Sequence, residues 1–171
     1  MKKFLLTTTM ILGFTTAALA ADPVKADQTD FYAGVSMGAP TTNTTRMIVG
    51  LDAGVQLGKY FRVEADVDRY WQPVGKDGYT AILNGIAQYR IPNSIVTPYL
   101  LAGAGYMFDG PAAIKDSTAR KEVWDFGGGA HLGLSQSVEL DLRYREVRLF
   151  SEPKVDQKQD HVFSAGLNYR F

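Results

Sequence analysis

From residue 31 onward, apolar and polar positions alternate with a period of two, the signature of half-buried β-strands. Between residues 47 and 57, Met47, Val49, Leu51, Ala53, Val55 and Leu57 share one face, and Ile48, Gly50, Asp52, Gly54 and Gln56 the other. Between 61 and 71, Phe61, Val63, Ala65, Val67 and Trp71 oppose Arg62, Glu64, Asp66, Asp68 and Tyr70, with Arg69 as the exception on the apolar side. The link 58–60 is short enough for a hairpin.

The pattern recurs along the chain. Residues 31–37 place Phe31, Ala33, Val35 and Met37 opposite Tyr32, Gly34 and Ser36; residues 79–89 place Tyr79, Ala81, Leu83, Ala87 and Tyr89 opposite Thr80, Asn84 and Gln88. A fifth run sets Leu100, Ala102, Ala104, Tyr106 and Phe108 against Tyr99, Gly103 and Gly105. A sixth sets Trp124, Phe126, Ala130, Leu132 and Leu134 against Asp125, Gly127, Gly129, His131 and Ser135. The seventh opposes Val138, Leu140, Leu142 and Tyr144 to Glu139, Asp141, Arg143 and Arg145. The last opposes Phe163, Ala165, Leu167, Tyr169 and Phe171 to Ser164, Gly166, Asn168 and Arg170.

Eight candidate strands result, most near the roughly ten residues that a tilted membrane strand needs. Connections 38–46, 72–78, 109–121 and 146–160 are long, and they alternate with the shorter 58–60, 90–97 and 136–137. Long loops on one side and short turns on the other fit a bacterial barrel with both ends in the periplasm. The expected fold is all-β: an eight-stranded antiparallel up-and-down transmembrane β-barrel.

A strand face in hydrocarbon must be apolar, because nothing there solvates a charge. The apolar faces carry aromatics near the strand ends, as interfacial rings do, and Arg69 beside Trp71 is close enough to an end to snorkel. The polar faces then line the interior. There Arg62, Glu64, Asp66, Asp68, Glu139, Asp141, Arg143 and Arg145 are expected to form an ion-pair network, joined by Arg46, Asp52, Asp125 and Arg170. The two signs occur in similar number. Inward glycines at 34, 50, 54, 103, 105, 127, 129 and 133 leave room for long side chains. An eight-stranded interior is just wide enough for side chains to fill it, so the lumen is expected to be plugged. The reverse facing, a soluble lipocalin-type barrel around an apolar ligand, has the same periodicity. The interfacial aromatics and the glycines on the polar face favour the membrane.

The N-terminus changes the compartment. Lys2 and Lys3, an apolar stretch from Phe4 to Ala18, and Ala18-Leu19-Ala20 ahead of Ala21-Asp22-Pro23 read as a cleaved export signal. The expected organisation is a signal peptide at 1–20, a short segment at 21–30 and the barrel at 31–171. Losing Lys2 and Lys3 from 18 basic residues leaves 16 against 18 acidic ones, a net charge of −2. No basic excess points to nucleic acid. With no cysteine there is no disulfide framework and no thiolate metal site.

The final run, FSAGLNYRF at 163–171, alternates and ends on an aromatic. It resembles the C-terminal assembly signal of outer-membrane barrels, carried here by Phe163, Leu167, Tyr169 and Phe171. The runs FYAGVSMG (31–38), TPYLLAGAGY (97–106) and VELDLRYR (138–145) are similar to strands of outer-membrane protein A-like and opacity-type surface-antigen barrels. The resemblance implies insertion by the barrel-assembly machinery and outer-membrane lipid and lipopolysaccharide as surroundings. It also implies a monomer, with a host or surface ligand met through loops 109–121 and 146–160. The peptidoglycan-binding domain of larger members is not expected.

Catalysis is the remaining possibility to weigh. The lipid A deacylases resemble this chain in size and use a His, a Ser and an acid. His131 lacks the serine two residues on and faces inward, where it reads as a hydrogen-bonding group of the lumen. His161 has Ser164, Glu146 and Glu152 near it in sequence, but alternation puts Ser164 on the other face, and a triad needs hydrogen-bond reach. Asp66 and Asp68 share a face, with Arg62 and Arg143 as expected partners; a calcium site needs roughly six converging oxygens. Residues 127–129 are glycines without a following helix, unlike a phosphate loop. No catalytic residue, metal or cofactor is expected. A non-enzymatic envelope or adhesion-type barrel is the leading reading, with a lipid A-modifying enzyme and a soluble barrel as alternatives.

Overall fold

The structure, a computed structural model, describes residues 29–41, 47–71, 77–108, 120–150 and 160–171. These form β1 (Asp30–Pro40), β2 (Met47–Leu57), β3 (Phe61–Trp71), β4 (Gly78–Gln88), β5 (Val96–Phe108), β6 (Arg120–Gly133), β7 (Val138–Leu149) and β8 (Asp160–Arg170). Each strand pairs antiparallel with the next, and β1 pairs with β8, so the sheet closes into an eight-stranded barrel with no free edge. Closure gives every strand two ladder partners, as hydrocarbon demands.

Register keeps like faces together. Val35 on β1 sits beside Leu51 on β2 and Leu167 on β8; Ala65 on β3 sits beside Ala53 and Leu83. The outward face is a continuous apolar belt in which Val35, Leu51, Val67, Leu83, Leu100 and Leu167 are exposed. Leu100 is 71% and Leu83 61% exposed, which a water-facing surface of this extent would not tolerate. Phe31, Phe61, Tyr89, Tyr169 and Phe171 ring the end with the short turns, and Trp71, Tyr106, Tyr144 and Phe150 the opposite end. The inward face is polar at mid-height, so the lipocalin-type facing is the wrong way round for this molecule.

The short turns are built from residues suited to them. Gly58 adopts φ 67° in the β2–β3 hairpin, a conformation that costs glycine nothing. In the β4–β5 link, Asn93 follows Pro92 with φ 58°, and the Ser94 N–H donates to the Ile91 carbonyl at 3.2 Å. Proline followed by a left-handed asparagine is the favoured pair for such a turn.

The strands claim residues expected in the connections: Gly38, Ala39 and Pro40 belong to β1, Gly78 to β4, and Val96 and Thr97 to β5. Arg120 and Lys121 belong to β6, and residues 146–149 complete β7, with Asp160 opening β8. For β6, β7 and β8 the reason is a change of chemistry inside the barrel. Near the long-loop end, the inward positions become apolar: Ile48, Tyr70 and Val162 pack together, as do Ile82, Val123 and Val147 with Met107 and Leu149 against them. Where both faces are apolar, the period-two signal vanishes. The expected signal peptide at 1–20, most of the 21–30 segment, and residues 109–119 and 151–159 lie outside the described residues.

Candidate functional site

The lumen is organised between β3 and β7. These strands lie four apart in a ring of eight, on opposite walls, and run in the same direction. Their inward side chains therefore meet rung by rung at a constant sequence separation of 77. Arg62 binds Glu139 through both terminal nitrogens, Nη2 to Oε2 at 3.2 Å, and Arg170 donates to the same Oε2 at 2.6 Å. Two rungs up, Arg143 donates to Asp66 at 3.1 Å; at the next rung Arg145 pairs with Asp68.

One rung has two acids, Glu64 and Asp141. Arg143 reaches both, at 2.8 Å from Glu64 Oε1 and 2.8 Å from Asp141 Oδ2. Two tyrosines complete the neutralisation. The Tyr32 hydroxyl donates to Glu64 at 2.8 Å, and the Tyr99 hydroxyl donates to Asp141 at 2.6 Å while accepting from Arg143 Nε at 3.1 Å. Asn84 adds a donor to Asp66 at 2.5 Å. Charge-assisted hydrogen bonds of this kind are the strong ones. The tyrosines were visible in the sequence on the polar face, but nothing local marks them as partners of the acids.

The eight expected network residues are all buried and lie on the inward face. Their partners differ in part from expectation: Arg62 serves Glu139, not Asp66 or Asp68, and Asp68 takes Arg145. Nor are the signs balanced. Among the described residues, Asp52, Glu64, Asp66, Asp68, Asp125, Glu139 and Asp141 face only Arg62, Arg143, Arg145 and Arg170 as buried arginines. Asp52 has no ion-pair partner among them, and its Oδ2 has no hydrogen-bond partner. Arg46 lies outside the described residues.

Inward glycines act in two ways. At Gly50, a Cβ would run into the Asp68 carboxylate and, at 2.5 Å, Ser36 Oγ, so absence of a side chain does admit polar neighbours. At Gly127 it would strike the Tyr144 carbonyl oxygen and, at 2.7 Å, Arg145 Cα, so here the neighbouring strand itself needs the space.

His131 is 1% exposed and stacks on Tyr99 with centroids 4.4 Å apart. Neither ring nitrogen has a hydrogen-bond partner, and Nε2 stands 3.7 Å from Asp141. It is a stacking group, in place of the expected hydrogen-bonding one. His161 faces outward, its Nδ1 2.8 Å from the Tyr144 hydroxyl, while Ser164 is buried on the inward face. Glu146 pairs with His161 in register and engages Arg148, whose guanidinium lies 5.4 Å from the Trp124 ring. This outer-rim cluster was hidden by reading 146–149 as loop. Arg69 lies on the outward face, bonded to Asp77 at 2.5 Å. Among the described residues no group of acids and histidines could hold a metal.

At the short-turn end, Phe171 N–H donates to the Phe31 carbonyl at 2.9 Å, and the Tyr169 and Phe171 rings meet edge to face at 5.3 Å. Phe163, Tyr169 and Phe171 are exposed on the outward face with Leu167.

The family model of the outer membrane protein β-barrel domain matches residues 6–171. Solved structures agree in fold. The N-terminal β-barrel domain of Pseudomonas aeruginosa OprF superposes with a TM-score of 0.66 at 13% identity, over 84% of this chain and 100% of that one. Outer membrane protein H (OprH) of P. aeruginosa gives 0.65 at 17% identity, over 83% and 99%. Neisserial surface protein A gives 0.60 at 17% identity, over 84% and 96%. A search of curated proteins returns no match.

Proposed function

Because the chain belongs to the outer membrane protein β-barrel family, we propose that it works without catalysis, as a rigid envelope barrel that presents its long loops at the cell surface. It resides in the bacterial outer membrane. The filled lumen carries this reading. Ion pairs span the barrel from β3 to β7, and apolar side chains pack above them. Such an interior supports the strands and leaves little space for a porin-like channel. Function then falls to the rims, since loops on a rigid scaffold carry recognition. Lipid A chemistry is disfavoured by geometry: Ser164 and His161 stand on opposite faces of β8.

Lipid and lipopolysaccharide are proposed as the immediate partners. Arg69 and Arg148, outward near the long-loop end beside Trp71 and Trp124, suit phosphate groups at the membrane surface. Assembly is proposed to proceed through the barrel-assembly machinery, reading the C-terminal strand.

Two experiments test the proposal. In planar bilayers, the refolded protein is expected to show no steady porin-sized conductance; a stable open channel overturns the filled-lumen reading. In a deletion strain, replacing 109–119 and 151–159 with short Gly-Ser linkers is expected to abolish complementation while the barrel still assembles. Full complementation by the loopless barrel refutes a loop-borne role.

A further inference from the structure

The short-turn mouth of the barrel holds a cavity of about 350 Å³ unrelated to the loops at the other end. Its lining includes Arg62, Arg90, Arg170, Thr97, His131 and Glu139. We propose that this mouth binds a phosphate group from the periplasmic side.

The first argument is charge. Arg62, Arg90 and Arg170 outnumber Glu139 in the lining, so its sign is cationic. A phosphate monoester carries roughly −1.5 to −2 at neutral pH, the complementary sign. Low-dielectric barrel walls around a predominantly cationic mouth focus its field on an incoming anion. Burial, together with the Arg170 and Arg62 guanidinium groups beside it, pulls the Arg90 guanidinium below the ordinary arginine value. Glu139 offsets this in part, and so does Asp30 on β1, which does not line the cavity.

The second argument is preorganisation. Glu139 accepts from both Arg62 and Arg170 and so holds two guanidinium forks in place. Those forks are not used up. Arg62 Nε, Arg170 Nε and Arg170 Nη1 are buried and have no hydrogen-bond partner, and neither has either ring nitrogen of His131. Arg62 is 2% and His131 1% exposed, so these groups are withdrawn from bulk water. Buried donors without partners are costly. Arg62 keeps only Nε, its two terminal nitrogens being taken by Glu139, and Arg170 keeps Nε and Nη1; an anion with several acceptor oxygens, as phosphate has, suits donors divided in this way. The volume suits a phosphate or a small phosphate ester.

The site requires the closed barrel but no role for the loops, and heat-modifiable gel mobility on the same sample separates loss of the barrel from loss of the site. The test is calorimetric titration of the refolded full chain in zwitterionic micelles. Inorganic phosphate and glycerol phosphate are the soluble probes, and micelles doped with phosphatidylglycerol are the lipid probe. Saturable one-site binding is expected, weakened at least tenfold in Arg90→Gln. Arg90 lies in the turn after β4, so this variant spares the ladder. Lys59→Gln, at another turn of the same rim and outside the cavity lining, is expected to bind as the parent does. Binding of the soluble probes identifies a free solute, and binding only with doped micelles identifies a headgroup; either supports the site. No saturable response to any probe overturns the proposal, as does equal weakening by Arg90→Gln and Lys59→Gln, which would reduce it to general surface charge.

Discussion

Arg62 on β3 and Glu139 on β7, 77 residues apart, form a two-pronged ion pair across the whole width of the barrel. The same separation recurs for Asp66 with Arg143 and for Asp68 with Arg145. It is constant because opposite strands of an eight-stranded up-and-down barrel run in the same direction. Successive inward side chains then stack as rungs. The charge order along β3 and β7 is complementary at every rung but that of Glu64 and Asp141, where Arg143, Tyr32 and Tyr99 intervene.

Arg143→Ala is expected to be the most damaging single charge deletion. It leaves Glu64, Asp66 and Asp141, all buried, facing one another. Breaking a buried pair in this way costs about 3–5 kcal/mol. Urea unfolding in vesicles measures it, and an unchanged midpoint would contradict the rung arrangement.

Tyr32→Phe and Tyr99→Phe each remove a hydrogen bond to a buried carboxylate, at a cost of about 1.5–3 kcal/mol. Tyr106→Phe, on the exposed outward face, is expected to be close to neutral. Equal effects of all three in the same unfolding assay would show that the inward hydroxyls carry no special weight.

Gly127→Ala is expected to destabilise by about 1–3 kcal/mol, since its Cβ meets the backbone of β7 and the strand must move. Gly85→Ala, whose nearest neighbour would be the Ala102 carbonyl at 3.9 Å, is expected to be tolerated. Circular dichroism melts of the two variants decide the matter; a tolerated Gly127→Ala would mean that β6 and β7 lie farther apart.

Phe171→Ala separates assembly from stability. If the terminal aromatic is read by the insertion machinery, the variant should accumulate less in the outer membrane of cells. In vitro refolding into detergent should change little. A matching deficit in both settings would make Phe171 a packing residue instead, through its ring contact with Tyr169.

The strands and their facing were legible because alternation is a local property, and at mid-height the inward and outward environments differ sharply. Glu64 beside Ala65 needs no partner strand to be read. The outer ends of β6, β7 and β8 were not legible, whereas those of β2 and β3 were. Val123, Val147 and Val162 place apolar groups inside a barrel that is apolar outside, so the alternation gives no reason to carry β7 past Arg145. Cross-lumen pairing was illegible for a different reason. Two runs of alternating charge were plain on 62–68 and 139–145, but which rung meets which depends on closure and strand order, neither of which is local. The same holds for the cavity at the short-turn mouth, where β3, β6, β7, β8 and the β4–β5 turn each supply part of the lining.

The facing of the strands is the central claim, and two adjacent residues of β4 test it most directly. Leu83 is 61% exposed on the outside and Asn84 is 1% exposed within, bonded to Asp66. The chain has no native cysteine, so Leu83→Cys and Asn84→Cys give unique labelling sites. With a spin label at each site in reconstituted vesicles, relaxation by oxygen, which concentrates in hydrocarbon, should be strong at 83 and weak at 84. The reverse order, or equal response at both, would contradict a membrane barrel with its charges inside.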